Sequence, residues 1–215
     1  MTSETQIEAL IDRLAREDTA ADTFNEYAND VAHNDIRRAN LRLYLRHMSR
    51  LIPDTMLVME APGYRGCRLT GVPVTSRKIL LEGAPGFDIF GSEAGYRDVD
   101  DEGFEDIYGE QTATIVWGTL ASLGLLPFIW NTFPFHPCKR GIPRSNRRPR
   151  RAETEAGAVF LGEVIELWRI RRVIAVGNVA HETLNRIGIN CDKVRHPAQG
   201  GKNEFVAGLE VLFRG

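Results

Sequence analysis

The chain has 215 residues, a net charge of −2, and ordinary shares of apolar (43%) and charged (26%) residues. These values are typical of a globular protein with a sizeable buried core, and the net charge does not indicate a strongly basic nucleic-acid-binding protein. No apolar run reaches the roughly 18–20 residues that a membrane helix needs, and the polar, acidic N-terminus excludes a secretory signal. We therefore expect no membrane contact and a cytoplasmic location, with the nucleoid if the host is bacterial.

The three cysteines, Cys67, Cys138 and Cys191, are widely spaced and include no C-x-x-C pair. Their odd number argues against a disulfide framework and fits a reducing compartment. They also cannot form a four-cysteine zinc or iron–sulfur site by themselves.

Helical periodicity dominates the first fifty residues. Apolar residues recur at helical spacing from Ile7 to Leu14 and again from Leu41 to Leu51. A short apolar run over 54–60 then indicates a buried strand, because Ala-Pro-Gly stops it. The following stretch, 61–109, is rich in glycine and proline and is predicted to be mostly loop.

The rest of the chain alternates helices and strands. The pattern predicts a helix over 111–123, a strand over 126–131, a helix over 152–169, a strand over 172–177, a helix over 179–187, a strand over 192–196 and a terminal helix. This alternation predicts one domain, 1–215, built as an α/β/α sandwich around a mainly parallel four-stranded sheet, with residues 1–50 as its helical N-terminal part. The ending, 209–215, either continues the last helix or is a protease-site remnant, and we assign it no function.

Charge is distributed unevenly along the chain. Between Lys139 and Arg151 (the basic segment) there are seven cations and no acid, whereas acids predominate between Glu93 and Glu110. Such separation can create a positive field on one face of a nearly neutral protein. The alternative interpretation is a pair of solvated loops.

Three loops that follow predicted strands carry residues suited to catalysis. Glu60 precedes a glycine-rich turn and can hold a water molecule against a substrate. Asn131 offers one acceptor and two donors, the set that reads the edge of a pyrimidine. His196, fixed by Pro197, can donate to a developing oxyanion. Because the carboxyl ends of parallel strands share one edge of a sheet, we expect these loops to meet there.

Together these segments resemble the motifs of the uracil-DNA glycosylase superfamily. Glu-Ala-Pro-Gly at 60–63 with Thr-Gly-Val-Pro at 70–73 is similar to the first motif of that superfamily. The first four residues resemble the iron–sulfur branch, and the second four resemble the single-strand-selective monofunctional branch. Asn131 matches the base-reading asparagine, and His-Pro at 196–197 matches the opening of the last motif. Asn-Arg-Arg-Pro at 146–149, followed by Glu153, is similar to a segment of the iron–sulfur branch. The resemblance covers roughly residues 54–205.

The chain also departs from that family at several positions. The cluster cysteines are missing, so the resemblance implies an enzyme without a cluster, a metal or another cofactor. Ala61 replaces a water-positioning Asp or Asn, and Gly63 stands where one branch keeps a tyrosine that excludes thymine. Val74 replaces the phenylalanine that stacks on uracil, a role that Tyr64, Phe87 or Phe133 could take instead.

The last motif lacks the bulky apolar residue that often fills the gap left by the extruded base. Gln199 or Lys202, beside Gly200, are the candidates for that gap. In the basic segment, Arg144, Arg147 and Arg148 are the candidates for phosphate contacts.

The resemblance implies a monomeric, monofunctional enzyme that hydrolyses the N-glycosidic bond of uracil in DNA, with Glu60, Asn131 and His196 as catalytic residues. Its partner would be uracil-containing DNA, single- or double-stranded. The sequence leaves open a shifted preference for hypoxanthine or xanthine and a non-catalytic DNA-damage-binding protein. An unrelated α/β enzyme acting on free nucleotides or small phosphates is a further alternative.

Overall fold

The computed structural model describes residues 2–214 and has an α/β fold. Its helices are α1 (Glu4–Arg16), α2 (Asn34–Leu51), α3 (Cys67–Thr70), α4 (Arg77–Glu82), α5 (Gln111–Leu123), α6 (Arg151–Leu167), α7 (Asn178–Arg186) and α8 (Lys202–Arg214), with one short 3-10 helix at Ser92–Ala94. Its strands are β1 (Thr23–Phe24), β2 (Thr55–Met59), β3 (Phe128–Asn131), β4 (His136–Pro137), β5 (Arg172–Val176) and β6 (Asp192–Val194).

The central sheet has four parallel strands in the order β3-β2-β5-β6. Helices flank this sheet, which confirms the predicted α/β/α sandwich. The two inner strands β2 and β5 and the edge strand β3 consist almost entirely of buried residues, which is why they read as continuous apolar runs rather than as alternating patterns.

Several helices contact the sheet directly. Helix α7 contacts β5 and β2, α6 contacts β3, and α8 contacts β6. Helix α2 is tied to β3 by the Tyr44 hydroxyl, which donates to the Ile129 carbonyl (3.0 Å) and accepts from its N–H (2.8 Å). Helix α8 includes the segment 209–214, and Leu209 within it is fully buried in the core. Gly215 lies outside the described residues.

Capping residues set both ends of α5, whose bounds match the prediction. Helix α5 has the predicted bounds because the Glu110 carboxylate accepts from the N–H groups of Thr112 and Ala113 at its start. Gly124, in the left-handed conformation, ends it. Among residues 2–214, no helix combines the length and the apolar character that a bilayer span requires.

Two features differ from the sequence-based prediction. Strand β6 ends at Val194 instead of reaching His196, because its partner β5 ends at Val176, the residue paired with Val194. A small antiparallel sheet, β1 with β4, joins the segment after α1 to the segment after β3. Two-residue strands have no sequence period, so pattern analysis missed them.

Candidate active site

A cavity of about 560 Å³ opens at the carboxyl edge of the sheet. Its lining includes a residue from the end of each of the four strands of the central sheet. These are Glu60 after β2, Asn131 at the end of β3, Gly177 after β5 and His196 shortly after β6. Strands β2 and β5 are neighbours whose following strands lie on opposite sides, the arrangement that forms ligand clefts in parallel sheets. The structure thus brings the three loops together, as their positions after three strands predict.

Glu60 is partly buried, and its carboxylate makes no hydrogen bond with any other described residue, while its backbone carbonyl accepts from Phe133 N–H (3.2 Å). Burial raises the pKa of Glu60 above its usual range. The Arg148 guanidinium lowers that pKa and the Glu182 carboxylate raises it. Glu60 therefore presents a carboxylate with free acceptor capacity and enhanced basicity to the cavity.

Asn131 is positioned by the sheet itself, since it pairs with Met59 in the last register position of β3. It is 3% exposed. Its side-chain amide makes no hydrogen bond within residues 2–214, although the residue lines the cavity. A ligand that enters the cavity can therefore engage one acceptor and two donors held on a rigid strand.

His196 has a defined tautomer. The N–H of Ala198 donates to His196 Nδ1 at 3.1 Å, so in the neutral ring the proton is on Nε2. Burial lowers the pKa of His196, and the neighbouring Arg195 charge lowers it further. The ring is therefore neutral at pH 7 and carries an Nε2–H donor that has no partner among the described residues.

Two glycines allow the close packing around His196. A Cβ added to Gly177 would lie 3.1 Å from His196 Cβ, and one added to Gly201 would lie 2.2 Å from the His196 carbonyl oxygen. Gly177 also has φ +89°, a conformation that other residues rarely adopt. Gly177 therefore allows close approach to the His196 side chain, and Gly201 allows close approach to its backbone carbonyl.

Val74 forms part of the cavity wall in an uncommon backbone conformation. Its φ is 52°, which is strained for a β-branched residue. The Trp117 indole N–H donates to the Val74 carbonyl at 2.7 Å and fixes this conformation. Strain that the surrounding structure maintains is frequent at binding sites, and Val74 belongs to the cavity lining.

The three aromatic candidates for stacking on a base lie elsewhere. Phe87 packs against the Trp117 ring (6.0 Å), and Phe133 is buried against Phe135 (5.4 Å). Tyr64 accepts from Arg65 Nε through its hydroxyl (2.8 Å) and belongs to a small separate apolar cluster. Among the described residues that line the cavity, no Phe, Tyr or Trp occurs, because the fold uses these rings to build its core.

Ala61 and Gly63 both line the cavity, as the motif positions predict. A Cβ at Gly63 would lie 3.9 Å from the Asn146 amide. Asn146 itself lines the cavity and accepts from Tyr64 N–H at 3.0 Å through Oδ1. The loop after β2 is thus attached to the basic segment beside the cavity.

The basic segment divides into two parts with different surroundings. In its second part, the Arg147 guanidinium donates to both oxygens of Glu153 (2.6 Å each), to Thr23 Oγ1 (3.0 Å), to the Asp22 carboxylate (3.2 Å) and to the Cys138 carbonyl (3.0 Å). Arg147 was a candidate for phosphate contacts on its sequence position alone. Arg147 belongs to the cavity lining, and its donors are occupied by these internal partners, so that it connects the N-terminal segment to α6.

The other two arginine candidates are exposed. Arg148 lines the cavity and pairs with Glu182 of α7 at 2.7 Å, with 62% of its side chain exposed. Arg144 is outside the lining, 3.8 Å from Glu105 and above the Phe104 ring. The acidic run 93–110 also turns inward in part, since Asp101 pairs with the buried Arg37 and Arg68.

The remaining candidates follow the last motif. Gln199 lines the cavity with φ 53°. Gly200 has φ +80° and continues the turn, while Lys202 is the first residue of α8. Gly200 and Lys202 are not part of the cavity lining.

Behind the cavity lies a fully buried acid. Glu26 accepts hydrogen bonds from the His136 backbone N–H (3.1 Å) and the Cys67 thiol (3.6 Å). Burial raises its pKa to about 8. His136 Nδ1 donates to the Pro62 carbonyl (2.8 Å), and burial lowers the pKa of His136 to about 4. These contacts attach the loop after β2 to the segment after β3.

Sequence reasoning missed several polar residues of the lining, among them Asn178 and Arg195. Asn178 follows Gly177 directly after β5, so the predicted strand over 172–177 already placed it at the same edge as the other loops. Arg195 adjoins His196 and is exposed. The signal for Asn178 was the strand-end rule, which had been applied to only three of the four strands. Arg195 lies in a loop that the rule had already selected, next to His196.

A scan against protein-family models finds no match for the chain, and a search among curated proteins finds none.

Proposed function

We propose that the protein is a monofunctional DNA glycosylase that hydrolyses the N-glycosidic bond of uracil and leaves an abasic site. One observation carries this proposal: a carboxylate, a carboxamide and a neutral imidazole N–H, each at or just after the end of a different parallel strand, line one cavity without partners among the described residues. These groups match the three requirements of the reaction, which are reading the base, stabilising the leaving group and positioning water.

Base reading belongs to Asn131. Its amide donates to uracil O4 and accepts from uracil N3–H. Cytosine presents the reversed pattern and leaves buried polar groups unpaired, at a cost of about 1–3 kcal/mol. Because Asn131 ends a strand that pairs with β2, its orientation is set before the base arrives.

The leaving group is stabilised by His196. As the glycosidic bond lengthens, negative charge grows on uracil O2, and the Nε2–H donates to it. A preorganised donor to such a charge is commonly worth about 2.7–4 kcal/mol. The Ala198 N–H at Nδ1 maintains the required tautomer, and the lowered pKa of His196 keeps the ring neutral.

Glu60 acts on the attacking water and on the cationic sugar. Its carboxylate accepts a hydrogen bond from the water that attacks the sugar carbon and offsets the positive charge that develops there. The raised pKa of Glu60 makes it a better base at neutral pH than a solvated glutamate. Acidification protonates it, so activity falls as the pH drops through this raised value.

The substrate reaches the cavity by extrusion from DNA, since the reactive bond is inaccessible within a stacked helix. Extrusion costs least from single strands and mismatches. Exposed cations at or beside the mouth, including Arg148 and Arg195, contact phosphates on either side of the extruded nucleotide.

The test is incubation of the protein with single-stranded, U·G and U·A oligonucleotides at low salt, followed by alkaline cleavage of abasic sites. We expect product from all three, with the single strand and U·G ahead of U·A. Hypoxanthine and xanthine oligonucleotides run in parallel identify a shifted base preference. No base release from any of these substrates, together with intact DNA binding, would indicate a damage-binding protein and refute the proposal.

Three variants test whether the proposed catalytic residues carry out the reaction. Glu60→Gln, Asn131→Ala and His196→Ala should each lower turnover by about 10²–10³-fold with an unchanged urea midpoint. Thr112→Ser, a conservative change at another lining residue, is the control. Full activity of His196→Ala would assign leaving-group stabilisation to another residue.

A further inference from the structure

An exposed aliphatic side chain sits at the tip of the basic segment. Residues 139–145, the basic hairpin, form a tight turn in which Ile142 N–H donates to the Lys139 carbonyl at 2.9 Å. Ile142 is 53% exposed, in contrast to the buried isoleucines of the core. More than half of the surface of this residue therefore remains accessible.

The turn is rigid. Gly141, at its third position, has φ +72°, which is the conformation of a type II turn. Ser145 Oγ accepts from Lys139 N–H (2.8 Å) and donates to the Ile142 carbonyl (2.6 Å). Pro143 restricts the backbone of Ile142 to extended conformations. The fold therefore holds Ile142 in a fixed position on the surface.

Cations surround this apolar tip. Lys139 and Arg140 are exposed and form no ion pair within residues 2–214, and Arg144 has only the distant Glu105 as a partner (3.8 Å). Both ends of the basic hairpin join the cavity, since Pro137 and Asn146 belong to its lining. An aliphatic group between exposed cations, beside a cavity, is similar to the apolar groups that insert between base pairs.

We propose that Ile142 enters the duplex where the target nucleotide leaves it and fills the vacated space in the stack. This inference rests on the proposed glycosylase function and identifies double-stranded DNA as the partner of the basic hairpin. Lys139 and Arg140 hold the phosphates on either side. The inserted side chain slows the return of the extruded base, so it matters for paired substrates and not for single strands.

The experiment compares Ile142→Ala with the wild type on U·A duplex and on single-stranded uracil DNA. We expect excision from the duplex to fall about tenfold, the loss that corresponds to the burial of one aliphatic side chain, and single-strand excision to change less than about twofold. Ile142→Leu should restore duplex activity. Val211→Ala, which alters a more exposed aliphatic residue on α8, should leave both activities unchanged.

Equal losses on both substrates, or no loss on either, would overturn the role of Ile142. A second measurement is independent of catalysis: the fluorescence of 2-aminopurine placed beside the target in a duplex rises when the neighbouring base is extruded. Wild-type protein should raise it and Ile142→Ala should not. If the wild type releases no uracil even from single strands, the glycosylase function fails, and this signal alone then decides whether Ile142 opens the duplex.

Discussion

The two ends of the basic segment have similar charges and opposite surroundings. Arg147 donates to Glu153, Asp22 and Thr23, and only 15% of its side chain is exposed. Lys139 and Arg140, a few residues earlier, are exposed and have no carboxylate partner within residues 2–214. Charge in a sequence is thus not equivalent to charge available for a ligand, because the fold neutralises part of it.

The same contrast separates the cavity from the layer behind it. Glu26 is sealed against Cys67 and the His136 backbone, and its raised pKa keeps it protonated at neutral pH. Glu60 lines the cavity with no internal partner. The internally satisfied groups support the architecture, and the groups left open are those that a substrate can engage. This division makes different predictions for stability, binding and catalysis.

The largest effect is expected at Arg147. Arg147→Ala should lower the free energy of unfolding by about 1.5–3 kcal/mol, because it removes several charge-assisted hydrogen bonds. The Asp22 and Glu153 carboxylates then keep only the half-exposed Arg150 as a shared cation among the described residues. Urea denaturation at neutral pH measures this change. Arg140→Ala is the matched control and should stay within about 0.5 kcal/mol of the wild type. Equal stability of the two variants would show that the internal contacts of Arg147 contribute no more to folding than the exposed side chain of Arg140.

Glu26 provides the second test, through the pH dependence of stability. Its pKa is about 8 in the folded protein against 4.5 ordinarily, so the folded state binds the extra proton between these values. Its contribution to stability is complete below the ordinary pKa and is lost as the pH rises toward 8, by up to about 1.4 kcal/mol per pH unit. His136, whose pKa is lowered to about 4, contributes with the opposite sign between 4 and its ordinary value of 6.5.

Comparing Glu26→Gln with the wild type isolates Glu26, since both proteins retain His136. Urea denaturation at intervals from about pH 5 to 8 should show a decline in the wild type that is absent from Glu26→Gln. Glu204→Gln, at an exposed position of α8, should keep the wild-type dependence. Parallel curves for all three proteins would show that Glu26 is ionised in the folded state.

The contrast also explains how far sequence analysis could go. Strands β2, β3 and β5 were predictable because burial on both faces leaves continuous apolar runs, and α5 because Glu110 and Gly124 mark its ends. Placing Glu60, Asn131 and His196 at one edge required only strand order. The surroundings of Arg147 were not predictable, because Asp22 lies 125 residues away along the chain and approaches only through the two-residue strands β1 and β4.

Backbone detail was equally out of reach. Nothing in the sequence around Val74 indicates its positive φ, which depends on the Trp117 indole 43 residues later. The aromatic candidates Phe87 and Phe133 were plausible from their positions near the motifs, but the core takes up both rings. Short motifs therefore located the site, while long-range packing decided which nearby residues face it.

DNA binding tests Lys139 and Arg140, the cations of the basic segment that have no carboxylate partner within residues 2–214. The double variant Lys139→Ala/Arg140→Ala should lower the slope of log affinity against log salt by about 1.8, or about 0.9 for each phosphate that the protein no longer neutralises. Fluorescence anisotropy with a labelled duplex over a salt series gives this slope. Arg16→Ala removes an exposed cation of α1 and should leave it unchanged. An unaltered slope in the double variant would show that the basic hairpin does not touch the backbone.

The smallest effect is expected at the mouth of the cavity, where Arg148 and Glu182 pair with each other and act on Glu60 in opposite directions. Arg148 lowers the pKa of Glu60 and Glu182 raises it, against the dominant effect of burial. Because Glu60 must be ionised to hold water, Arg148→Gln should move the acid limb of the activity profile to higher pH. Glu182→Gln should move it to lower pH. Each change on that limb should be about twofold, since exposed charge pairs are worth about 0.2–1 kcal/mol.

Because Arg148 and Glu182 change the pKa of Glu60 in opposite directions, their variants distinguish an effect on Glu60 from an effect on DNA binding. Weaker phosphate binding lowers activity in Arg148→Gln at every pH, whereas a change in the ionisation of Glu60 affects only the acid limb. Single-turnover rates on single-stranded uracil DNA, measured at saturating protein, separate the two effects because binding no longer limits the rate. If Arg148→Gln and Glu182→Gln shift the limb in the same direction, the group that titrates is not Glu60, and the water-positioning role must pass to another lining residue.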